Sequence, residues 1–114
     1  MQEAYYNSYN ELIMGGTKEF LERVYKKNTN FVYRKIANES IIIPIVNNSA
    51  DLTSIYTLNE TADFIWNELG KNKNIESIIN SLIKEFGTSY DEAIDETITF
   101  IKNLKKLGLI DIVQ

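Results

Sequence analysis

The sequence predicts an α+β domain, winged helix-turn-helix-like, with a three-stranded antiparallel sheet followed by three helices. Three observations carry that expectation. Residues 31–57 hold three short runs rich in β-branched and aromatic side chains, separated by turn-forming residues. Residues 58–107 hold three apolar stripes at helical spacing, each followed by a glycine. The chain has 114 residues, 44% apolar and 25% charged, the composition of one globular domain with its own core.

The elements follow in order. Residues 1–16 are polar and tyrosine-rich and end in Gly15-Gly16, which reads as a flexible tail. Thr17 then opens a short helix whose apolar positions are Phe20, Leu21 and Val24 and which ends near Lys27. Together these form an N-terminal extension over residues 1–28, with the domain itself spanning 29–114. Phe31–Ile36 is the first strand and Ser40–Val46 the second, joined by a turn at Ala37-Asn38-Glu39. Pro44 donates no ladder bond, so a bulge or strand end is expected there. Residues 47–51 form a loop, and Leu52–Thr57 is the third strand. Thr57-Leu58-Asn59-Glu60 fits a capping box with Thr57 as cap, Asn59 being the alternative, and the helix it opens runs to Gly70. Ile75, Ile78, Ile79, Leu82, Ile83 and Phe86 mark the next helix, stopped at Gly87. Ser89-Tyr90-Asp91-Glu92 is a second capping box, and the last helix continues to about Leu107. Leu109–Val113 closes the chain as a short extended tail.

Composition excludes much chemistry. With no cysteine there are no disulfides, zinc–thiolate sites, iron–sulfur clusters or thiol nucleophiles. With no histidine the serines lack their usual activating base, and the glycines form no phosphate-cradling loop. The reading is therefore of a non-enzymatic protein with no cofactor or metal. No apolar run approaches the length that spans a bilayer, and the N-terminus lacks a basic-then-apolar signal, so a cytoplasmic protein without membrane association is expected. Nucleic acid is disfavoured as a partner. The net charge is −4, the only arginines are Arg23 and Arg34, and the last helix opens with Asp91, Glu92, Asp95 and Glu96, which repel phosphate.

Protein or peptide recognition fits better. The last helix carries two apolar stripes, Ala93-Thr97-Phe100-Leu104-Leu107 and Ile94-Ile98-Ile101. Either both are packed in a central helix, or one packs the core and the other lines an apolar groove. A third strand at the sheet edge beside such a groove supplies what an added peptide strand requires. Trp66, among Ile65 and Leu69, reads as core rather than site.

The runs Tyr33-Arg34-Lys35-Ile36-Ala37, Ile43-Pro44-Ile45, Asp51 through Glu60 and Ile65-Trp66, with Phe100-Ile101, Leu104, Gly108 and Ile110, resemble the PqqD family over roughly residues 31–113. That resemblance implies a small peptide chaperone, or recognition element, of a pathway that modifies ribosomally made peptides. Such a protein binds the leader of a precursor peptide as a strand beside its third strand and presents it to a modifying enzyme, often a radical SAM enzyme. It places peptide contacts on Leu52, Thr53, Ser54, Ile55 and Tyr56 of the third strand. Of these, the backbone of Thr53, Ser54 and Ile55 would supply ladder bonds. It also implies a groove wall of Ile94, Ile98 and Ile101, and pairing of Lys102 and Lys105 with acidic leader residues. The alternatives are a winged-helix nucleic-acid binder and a structural module that forms a homodimer through the same edge.

Overall fold

The computed structural model describes residues 17–113. The expected tail over residues 1–16 lies outside them. The chain runs α1 (Thr17–Glu22), β1 (Tyr25–Lys27), β2 (Phe31–Ile36), β3 (Glu39–Val46), β4 (Ser49–Ala50), a 3₁₀ turn (Leu52–Ser54), β5 (Tyr56–Leu58), α2 (Glu60–Glu68), α3 (Ile75–Phe86), α4 (Tyr90–Lys106) and β6 (Ile110–Ile112). It is an α+β fold with a sheet followed by three helices, as the sequence predicts.

β3 is the hub of the sheet. It pairs antiparallel with β2 along its whole length, from Phe31↔Pro44 to Ile36↔Glu39. On its other side it pairs with β4 (Val46↔Ser49) and with β5 (Ser40↔Leu58, Ile42↔Tyr56). Both hairpins turn through two residues. Asn47 and Asn48 hold φ of 53° and 65°, the left-handed pair that a tight hairpin turn demands and that asparagine tolerates.

Pro44 corrects the expectation of a bulge, because it lies inside continuous β3. Strand alternation explains why. The Ile45 N–H donates to Asn30 O on the β2 side, so the backbone of the flanking even-numbered residues faces β4 and β5. At Pro44 that side needs only the carbonyl, which accepts from Asp51 N at 2.8 Å. The missing N–H falls in the gap between β4 and β5.

Residues 17–28 also differ from expectation. The helix stops at Glu22, and Tyr25–Lys27 pairs with Ile110–Ile112 as a separate two-stranded sheet. Phe20, Val24 and Tyr25 are buried, and Ile75 N donates to Arg23 O. The expected boundary between residues 28 and 29 therefore cuts through the core. The cause is a partner strand more than eighty residues away, which local periodicity does not reveal.

The helices are set by their caps. Asn59, not Thr57, caps α2, its Oδ1 accepting from Ala62 N at 2.8 Å. Thr57 is unavailable because it lies within β5. Asn74 caps α3, Gly87 ends it at φ 67°, and Ser89 with Glu92 forms the expected capping box of α4. Trp66 sits at the centre of the core, with Phe31 edge-on at 5.0 Å and the Lys27 ammonium 4.6 Å over its ring.

A polar network fastens the sheet to α2. The Tyr33 hydroxyl donates to Asp63 Oδ1, and Lys35 Nζ lies 3.5 Å from Asp63 Oδ2. Partial burial alone would raise the Asp63 carboxyl, but the hydrogen bonds from Tyr33 and Ser40 and the charge of Lys35 outweigh it, leaving its pKa lowered. Glu68 is lowered as well, by hydrogen bonds from Lys73 and Lys71.

Two outcomes are expected. Both carboxylates are depressed in the folded state, so their stabilisation is complete above the unfolded carboxylate pKa of about 4 and is lost as pH falls through the folded values. The urea midpoint should drop between pH 7 and pH 3, and Asp63→Asn with Glu68→Gln should flatten that dependence; an unchanged profile would contradict it. A chain beginning at Asn28 loses Phe20 and Tyr25, each worth about 1.5–3 kcal/mol of burial. Its thermal transition should shift sharply down or lose cooperativity, whereas a dispensable extension would leave it in place.

Candidate functional site

Among the described residues the sheet has free edges at β2 and at β5, and the groups that β5 exposes follow from the same alternation. Residues Ile42 and Ser40 aim their backbone groups at Tyr56 and Leu58, so these two β5 residues are bonded inward to β3. Thr57, opposite Ile41, sits at the intervening non-bonded position, and its N–H and C=O point away from the sheet. Ile55, extended at φ −62° and ψ 130°, continues the edge in the same phase.

The expected strand Leu52–Thr57 is thus shortened and shifted. Leu52–Ser54 forms a 3₁₀ turn, closed by Ser54 N to Asp51 O at 3.2 Å and by Thr53 N and Oγ1 to the Asp51 carboxylate at 3.1 and 2.7 Å. Asp51 is a better turn cap than a strand residue. The backbone of Thr53 and Ser54 is therefore committed to the turn, and the edge offered to a partner is Ile55 and Thr57. Leu52, at 66% exposure, projects from the turn.

Beside this edge α4 forms the wall of a cleft. Its isoleucines do not line it: Ile94, Ile98 and Ile101 are 6%, 3% and 0% exposed and belong to the core. Ala93, Thr97, Phe100 and Leu104 are buried too, so α4 is a central helix packed by two layers. The cleft runs along the opposite side of the helix, on the stripe Glu96, Thr99, Phe100 and Asn103.

That cleft has a volume of about 330 Å³ and lies between β5, the first turn of α2 and α4. Its apolar surface comes from Tyr56, Ala62, Ile65 and Phe100, with the Tyr56 and Phe100 rings 6.0 Å apart. Its ends are tied by hydrogen bonds. Asn103 Nδ2 donates to the Tyr56 hydroxyl at 3.3 Å, and the Thr61 hydroxyl lies 3.1 Å from both Glu96 Oε2 and Asn59 Oδ1, which share its one proton. Lys105 is exposed and Lys102 half-buried; neither lines the cleft.

Of the expected contacts, the structure brings Tyr56 into the cleft and Ile55 to the edge. It adds Asn59, Thr61, Glu96, Thr99, Phe100 and Asn103. The spacing of Glu96, Thr99, Phe100 and Asn103 is a helical stripe in its own right, but a mostly polar one that apolar periodicity does not mark. Among the described residues no three histidine, cysteine or carboxylate side chains form a metal-binding group. No helix among them is long and apolar enough to cross a membrane.

Comparisons with known proteins bear on this site. The profile of the family described as coenzyme PQQ synthesis protein D (PqqD) matches residues 45–110, more than half the chain, from the end of β3 into β6. Among solved structures, TbiB1 in complex with the TbiA(beta) leader peptide has the same fold, with a TM-score of 0.63 at 17% identity. The alignment covers 75% of this chain and 94% of TbiB1. Comparison with curated proteins gave no match.

The edge assignment has a direct readout. In hydrogen exchange of the free protein, the Tyr56 and Leu58 amides should be protected, while the Thr57 amide between them exchanges near the rate of an unbonded group. Protection of Thr57 equal to its neighbours would mean the edge is already occupied.

Proposed function

The chain belongs to the PqqD family, and from that premise we propose that it is a non-catalytic chaperone that binds the leader of a ribosomally made precursor peptide. The leader adds as a strand to the edge at Ile55 and Thr57, with side chains entering the cleft against α4. The complex is then presented to a modifying enzyme, in our reading one of the radical SAM class. That last element rests on the family resemblance alone.

The observation that carries the proposal is the juxtaposition of an unpaired strand edge with an apolar-floored cleft. Backbone ladder bonds give an extended peptide affinity independent of its sequence, and the cleft reads alternate side chains. TbiB1, which shares the fold, is in complex with a leader peptide. The cleft holds no histidine or cysteine; its polar groups are the side chains of Asn59, Asn103, Thr61 and Thr99, the Tyr56 hydroxyl and the carboxylates of Asp95 and Glu96, which suit binding.

Thr57→Pro is the discriminating variant. It removes an outward N–H without touching a bond to β3, and the preceding Tyr56 is already in the extended conformation that proline requires of it. Isotope-labelled protein would be titrated with synthetic leader halves of the short open reading frames flanking its gene. The expected result is shifts concentrated at residues 55–62 and 96–103, and affinity at least tenfold weaker in a folded Thr57→Pro variant. Normal binding by that variant would overturn strand addition at this edge. Self-pairing through the edge would instead appear as a mass that doubles with concentration and is abolished by the same substitution.

A further inference from the structure

The cleft combines two surfaces that rarely serve the same ligand group. Its floor is apolar and aromatic, from Tyr56, Phe100, Ala62 and Ile65. Its α4 wall carries the carboxylates of Asp95 and Glu96. Asp95 is exposed and takes part in no ion pair, and Glu96 gives one oxygen to Thr61 and keeps the other. The ion pairs of Lys35 with Asp63 and of Lys71 and Lys73 with Glu68 involve neither of these carboxylates. The acidic wall also continues past the cleft. A second depression shares Thr61, Asp95 and Glu96 with the first and extends to Thr88 and Glu92.

We infer that this cleft selects a peptide bearing a lysine or arginine, whose aliphatic stem lies on Tyr56 and Phe100 and whose cationic head is held by Asp95 and Glu96. The inference rests on the reading that the β5 edge takes a peptide strand. Long cationic side chains are the ones that bury an apolar stem while keeping a charged head at a polar rim, and aromatic faces add to the attraction for a cation. An aspartate or glutamate at the same place would meet two carboxylates at short range. This is the reverse of pairing acidic leader residues with Lys102 and Lys105, which stand outside the cleft.

Direction follows from topology. Tyr56 and Asn103 mark one end of the cleft, and Thr61 and Glu96 the other, so the carboxylates lie at the C-terminal end of β5. In a peptide antiparallel to β5, the cationic residue therefore precedes the strand-paired ones; in a parallel peptide it follows them.

The test pans a display library of random twelve-residue peptides against the full chain and against an Asp95→Asn/Glu96→Gln double variant. Glutamine at 96 keeps an acceptor for Thr61. Enrichment of lysine or arginine at a fixed offset from an apolar residue is expected with the native chain, and its loss with the double variant. A selected peptide is then compared with its norleucine analogue, which retains the stem and lacks the charge. The analogue should bind the native chain at least tenfold more weakly and the double variant equally well. If Thr57→Pro abolishes binding while the two carboxylates make no difference, strand addition stands and charge selection falls. If Thr57→Pro binds as the native chain does, or no peptide is enriched, the strand-addition reading fails and takes this inference with it.

Discussion

The alternation of backbone groups along β3 is the constraint on which the rest depends. A strand can satisfy neighbours on both sides only by giving odd residues to one and even residues to the other. Here the odd positions serve β2 and the even positions serve β4 and β5. That assignment explains how proline is accommodated in a central strand and why the hydrogen-bonding groups on the free edge beyond β5 belong to Ile55 and Thr57. A shift of one residue in β3 would turn Ser40, Ile42 and Pro44 out of the core and hide the Thr57 amide at the same time.

Much of the fold was legible because its determinants are local. The helix stops at Gly70, Gly87 and Gly108, the capping box at Ser89 and Glu92, and the isoleucine stripe of α3 are each set by residues within a few positions of one another. The β2–β3 hairpin was legible for the same reason. What escaped the sequence was non-local. Tyr25–Lys27 looks like a helix end until Ile110–Ile112 is placed beside it. Leu52–Thr57 alternates like a strand, but the Asp51 side chain captures Thr53 and bends the first half into a turn. Pro44 argues for a break only while the identity of both neighbours is unknown.

The site was legible as a place and not as a set of side chains. The sequence points to a third-strand edge over Leu52–Thr57 and to the last helix, and the cleft lies between β5, the remainder of that strand, and α4. The wrong face of the helix was expected to line it, because an apolar stripe in excess of what a surface helix needs suggests an exposed one. In α4 both stripes are consumed by packing up to Leu104, since the helix touches α2, α3 and β6, while Leu107 beyond its end is exposed. What remains for the cleft is the residual polar stripe, with Phe100 at its border. In a domain this small the most hydrophobic helix face is needed for stability, so the cleft is lined by the adjoining polar positions and by an aromatic shared by core and surface.

The pairing of β1 with β6 brings the two ends of the described chain together. Tyr25 stands opposite Ile112, and among the described residues only residues 17–24, with α1, precede it. Proximity of this kind is what allows a domain to be spliced into a longer protein, or its termini to be joined and reopened elsewhere, with the interior untouched. It also means that a tether leaving from Ile112 would start beside β1. The effective concentration of anything so tethered would be set by the length of that linker.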